Sequence, residues 1–162
     1  MSTLRLPSYI AEVEAAIDHL ITLCLQASDM YLSLGFYFQD DSVVLKGICY
    51  FFRKLAEKKR QDAYYLLRKN PCSGGGYFPD GQLLPQDGWL DITDAMETSL
   101  SQEKNLYQAL MDLYALGLAS RDIQLCKFLK RHFLGKEVKL MKKMNKHLTT
   151  LRRRMGLDSK LS

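Results

Sequence analysis

The chain has 162 residues, 47% of them hydrophobic, and a formal net charge of +5. That is long enough for one domain with a sizeable apolar core. It contains no run of about 18 apolar residues that would cross a membrane, and Met1–Pro7 lacks the basic segment leading into a long apolar stretch that marks a secretory signal.

Cys24, Cys49, Cys72 and Cys126 show no CxxC spacing. Scattered cysteines in a chain with ample core read as reduced thiols, and a cytoplasmic protein is expected.

Four helical segments follow in order. The first spans about 9–38, with Ser8 as its expected cap and a stripe of Val13, Ile17, Leu20, Cys24, Ala27, Tyr31, Leu34 and Phe38. The second spans about 43–69. Its stripe runs Val44, Ile48, Phe51, Leu55, then Lys59 and Asp62, then Leu66, and Asn70-Pro71 ends it. The third spans about 93–119, through Met96, Leu100, Glu103, Leu106, Leu110, Leu113 and Gly117. The fourth spans about 122–155, through Leu125, Leu129, Phe133, Glu137, Leu140, Met144, Leu148 and Leu151. No β-alternation of useful length appears.

Residues 70–92 are rich in Gly and Pro, whereas the other two connections are short. A helix of about 25 residues is roughly 38 Å long, and a loop of about 20 residues can reach roughly 65 Å. The expected fold is therefore all-α, a single domain over 1–162. It is a four-helix bundle of two antiparallel hairpins joined by a long crossover.

Lys59, Asp62, Glu103 and Glu137 fall in register with the apolar stripes, each near mid-helix. In an up-down bundle these positions meet at one level, with Tyr31 close by. Buried charge is costly unless paired or bound to metal. Di-iron bundles place one Glu on each of two helices and Glu-x-x-His on the other two. Here the first helix offers Cys24, the second Lys59-x-x-Asp62, the third Glu103, and the fourth Glu137 followed by Leu140. The outline of a metal site is present while most ligands are absent. A protonated Lys59 supplies the charge that a metal would have supplied. The residues therefore read as a buried ion-pair network, with weak metal binding through Asp62, Glu103 and Glu137 as the alternative.

The segments LQAS (25–28), YLSLGFYF (31–38), FFRKLAEKKR (51–60), EKNLYQALMDLYALG (103–117), LCKFL (125–129) and HFLGKEVKLMKKM (132–144) resemble ferritin helices in order and spacing. YLSLGFYF, DLYALG and HFLGKEVKL are more similar to the light chain than to the heavy chain. The resemblance implies a ferritin-like bundle and a subunit of a 24-chain shell that stores iron. It implies assembly with ferritin heavy and light chains, and no membrane partner.

At positions matching the heavy chain's oxidase ligands stand Cys24, Tyr31, Lys59, Asp62, Glu103 and Glu137, and only Tyr31 and Glu103 keep the residue type. The resemblance thus implies no ferroxidase activity. The light chain's mineral-nucleating carboxylates correspond to Lys54, Glu57, Lys58, Gln61 and Tyr64, of which Glu57 alone is acidic. Clustered carboxylates hold hard ferric ions, and lysines repel them. The three-fold channel carboxylates correspond to Lys127 and Lys130, a reversal expected to exclude cations. After Leu151 the chain reads RRRMGLDSKLS, so the family's short fifth helix is expected to be missing. Two other readings stand beside a storage subunit. One is an iron-independent helical scaffold. The other is a polyanion- or nucleic-acid-binding protein using Lys127, Lys130, Arg131, Lys142, Lys143, Lys146 and Arg152–Arg154.

Overall fold

The computed structural model describes residues 7–38, 43–69 and 91–161, without the side chains of Val43, Met155 and residues 157–161. Helix α1 spans Pro7–Tyr37, α2 Val43–Lys69 and α3 Ile92–Ala119. The fourth helical run is divided into α4, Ile123–Leu129, and α5, Gly135–Leu161, by a π turn at Lys130–Leu134. Among the described residues no helix is long and apolar enough to cross a membrane.

The helix ends differ from expectation in instructive ways. Pro7 occupies the first helical position, where its missing N–H costs nothing, so Ser8 lies inside α1 and does not cap it. The start of α3 is capped by Asp91, whose Oδ1 accepts from the Asp94 N–H at 2.7 Å. Asp122 caps α4 in the same manner, from the Leu125 N–H at 3.2 Å. Apart from Asp91 and Ile92, the expected crossover lies outside the described residues, as does Cys72.

Contacts between helices fix their directions. Ser28 donates to the Ala56 carbonyl and Arg53 to the Gly35 carbonyl, so α1 and α2 are antiparallel. Tyr31 meets Glu103 and Tyr9 meets Asp122, so α3 is also antiparallel to α1. Hence α2 and α3 run parallel, and α2 ends at the opposite end of the bundle from where α3 begins. Gly35 lets α1 and α2 approach closely. A Cβ there would lie 2.4 Å from Arg53 Cγ and 3.2 Å from the Cys49 carbonyl oxygen.

The turn from α3 into α4 passes through Arg121 at φ 56°. That left-handed conformation lets the Asp122 N–H reach the Gly117 carbonyl at 2.8 Å. Tyr9 then ties the start of α1 to this turn, donating to Asp122 Oδ2 at 2.9 Å.

Two apolar clusters fill the bundle. One holds Met30, Leu34, Ile48, Phe52, Met96 and Leu148. The other holds Ile17, Leu20, Leu66, Leu110, Leu129 and Phe133. Each fully buried side chain of this kind contributes about 1.5–3 kcal/mol. Cys24, Cys49 and Cys126 are buried free thiols. Between the two apolar clusters lies a layer of buried charge.

Candidate functional site

Four helices contribute to that layer. Cys24 and Tyr31 come from α1, two turns apart on one face. Lys59 and Asp62 come from α2, Glu103 from α3 and Glu137 from α5. Lys59, Glu103 and Glu137 are only 1%, 0% and 4% exposed. Because these helices are antiparallel neighbours or run parallel across the diagonal, their midpoints coincide, and the polar interruptions of their stripes meet there.

Lys59 Nζ lies 2.5 Å from Glu103 Oε1 and 2.5 Å from Glu137 Oε1. Tyr31 donates its hydroxyl proton to the other oxygen of Glu103. Below that hydroxyl the Tyr31 ring stacks on Phe52, with centroids 5.9 Å apart.

The electrostatics follow from burial and proximity. Burial alone would pull the Lys59 ammonium down, but Glu103 and Glu137 more than reverse this and hold it above its ordinary value. Burial drives Glu137 up to about 8, only partly opposed by Lys59. Burial also pushes the Cys24 thiol up to about 12, with Lys59 pulling the other way. Burial raises the Asp62 carboxyl as well, against Lys59 and Lys136.

Of the sequence-predicted residues, the structure joins Tyr31, Lys59, Glu103 and Glu137 in one network, with Cys24 buried near enough to feel their charges. Asp62 sits at its edge, half-buried. Glu57 stands apart, exposed on α2 with Lys54, Lys58, Gln61 and Tyr64. Lys127 and Lys130 are exposed and border a depression of about 370 Å³ walled by Tyr114, Leu118 and Ile123. Sequence reading passed over Tyr65 and His132, whose Oη and Nε2 are 3.1 Å apart at the α2–π turn contact. Nothing local signals a pairing between residues 67 positions apart.

The donor set does not fit an iron centre. Lys59 Nζ fills the point between the two carboxylates, and a protonated amine has no lone pair to give a metal. Cys24 is a neutral thiol, whereas the thiolate is the ligand form. Among the described residues no group of three or more His, Cys, Asp and Glu is placed to hold a metal ion.

Comparison with known proteins agrees with this architecture. The model of the ferritin-like domain matches residues 14–154. The ferritin light chain of Oryctolagus cuniculus is 53% identical over 155 residues, covering 95% of this chain and 89% of the relative. Ferritin light chain 1 of Rattus norvegicus is 54% identical over 150 residues, covering 92% and 82%. The ferritin light chain of Felis catus is 51% identical over 162 residues, covering 99% and 93%. With its helical bundle and its match to these relatives over nearly the whole length, the chain belongs to the ferritin family, as a light-chain-like member.

Proposed function

We propose that this chain is a non-catalytic ferritin subunit that contributes to intracellular iron storage in the cytoplasm by joining shells with catalytic heavy chains. The observation that carries the reading is Lys59 Nζ seated 2.5 Å from both Glu103 and Glu137. The ammonium supplies the positive charge that makes a buried carboxylate pair tolerable, and it occupies the place a ferrous ion would need. No oxidation step passes through this centre. Iron is the cargo of the assembly, oxidised at partner chains. The light-chain relatives at about half identity support the same role. The four-helix unit supplies the surfaces for assembly.

Loading the purified protein with ferrous iron in air, alone and mixed with heavy chain, tests this reading. Alone, it should oxidise iron no faster than buffer. Mixed, it should appear in iron-filled shells on sizing. Exclusion from every shell, or fast oxidation by the protein alone, overturns the proposal.

A further inference from the structure

Helix α2 and the fourth helical run lie side by side, and cations line the exposed edge of the seam between them. At one end Lys143 Nζ sits 5.4 Å from the Phe51 ring centroid. At the other, Lys69 Nζ sits 5.1 Å from that of Phe128. Midway, Lys58 and Lys136 act together on the half-buried Asp62. Helical geometry places Lys54 about one turn before Lys58 and Lys139 about one turn after Lys136, each within about 60° of the same face. All six lysines are exposed, and none is in a close ion pair among the described residues. From Phe51 to Lys69 the strip runs roughly 27 Å along α2, at about 1.5 Å per residue. Besides Asp62, the nearest carboxylate on α2 is Glu57, about a third of a turn round the helix.

The strip is straight, cationic and repetitive, which suits a chain of repeating anions. Lysine acts on phosphate as a mobile point charge and asks for no fixed geometry. Nucleic-acid sites for single strands add open aromatic faces on which bases stack. Here the aromatic faces along the seam carry cations instead: Lys143 on Phe51, Lys69 on Phe128 and, 5.7 Å away, Arg68 on Tyr65. At these three rings a base would have to displace a cation, whereas phosphates would meet the exposed ammonium groups directly. We propose that the seam between α2 and the fourth helical run binds linear inorganic polyphosphate through Lys54, Lys58, Lys69, Lys136, Lys139 and Lys143. This surface is separate from the buried Lys59 network and does not depend on iron.

The test is titration of the purified protein with polyphosphate of about 15 units, and with a 15-nucleotide single strand, from 50 to 300 mM salt. Micromolar binding of polyphosphate at low salt is expected, weakening steeply with salt and at least threefold tighter than the DNA. The triple change Lys58→Gln/Lys136→Gln/Lys143→Gln should weaken it more than tenfold. At about 0.7 per phosphate contact for a single strand, the slope of log affinity against log salt should fall by about 2. Lys142→Gln/Arg153→Gln, off the seam, should change affinity less than threefold. Absence of binding at 50 mM salt, tighter binding to DNA, or equal loss in the off-seam variant overturns the proposal. Retained helical signal and melting temperature confirm that the exposed substitutions leave the fold intact.

Discussion

Replacing Lys59 by methionine keeps the side chain out to the ε position and removes its ammonium. Glu103 Oε1 and Glu137 Oε1, each 2.5 Å from that nitrogen, would then face each other without a counter-charge in a layer that solvent does not reach. Removing one partner of a buried ion pair costs about 3–5 kcal/mol, since the remaining charge is left stranded. At roughly 2–4 °C per kcal/mol for a chain of this size, the melting temperature should fall by about 6–20 °C. The loss should grow with pH. The stranded pair must take up a proton, and a carboxyl raised by burial favours the folded state most below its unfolded value and loses that advantage as pH rises. The variant should therefore come nearest to wild type around pH 5 and fall away toward pH 8. Thermal and urea denaturation followed by helical circular dichroism at pH 5, 7 and 8 measures this. Adding Glu103→Gln and Glu137→Gln should recover most of the stability. A loss below about 1 kcal/mol at pH 7, or one no larger at pH 8 than at pH 5, refutes the ion-pair account.

Three further outcomes follow from named contacts. Glu137 sits at about 8 in the folded chain against an ordinary 4.5, so its contribution is full below pH 4.5 and is lost as pH climbs through about 8. Glu137→Gln carries no such titration, and urea midpoints should show wild type losing up to about 1.4 kcal/mol per pH unit relative to it across that window. Lys59, also raised, surrenders its contribution only at pH values above the ordinary lysine range, outside the window; parallel curves for the two proteins would contradict the assignment. Arg121→Gly should stabilise the chain by about 0.5–1 kcal/mol, because glycine adopts φ 56° without a Cβ penalty; an unchanged or lower melting temperature counts against it. Cys24, 2% exposed with its thiol held near 12, should resist a thiol reagent at pH 8 until denaturant is added, as read by mass of the labelled peptide.

The fold was legible because its signal is periodic. Leu20, Leu34, Leu66, Leu110 and Leu148 belong to stripes that step by three and four, and each is buried as its stripe requires. The charged layer was legible for the converse reason: Lys59, Glu103 and Glu137 interrupt those stripes at mid-helix, and a bundle brings midpoints together. What the spacing does not carry is the division of protons within the layer. That depends on which oxygen Tyr31 and Lys59 occupy, and so on side-chain placement across three helices. Nor does it carry the seam. Lys143 meets Phe51 and Lys69 meets Phe128 only after α2 and the fourth run pack, so the lysines of α2 read alone as a damaged nucleation patch. Ser8 misled because a residue that caps well was preceded by Pro7, which starts a helix better from inside it.

The π turn shows how register, not residue type alone, completes the layer. Leu125, Leu129, Phe133 and Glu137 follow one another in three successive steps of four. An α-helix repeats every 3.6 residues, so three such steps drift by about 120°. In an unbroken α-helix the stripe begun by Leu125 would carry Glu137 away from α2. The wider i→i+5 bonding at Lys130–Leu134 absorbs the surplus where the steps are longest. Beyond it α5 returns to mixed steps of three and four through Leu140, Met144, Leu148 and Leu151. Tyr65 therefore meets His132 within the turn, Lys59 meets Glu137 after it, and Phe51 meets His147 further on, all in one antiparallel register. The extra residue in the backbone is what aligns a carboxylate from the fourth run with the lysine from the second. Its signature, three fours in a row, was already present in the spacing.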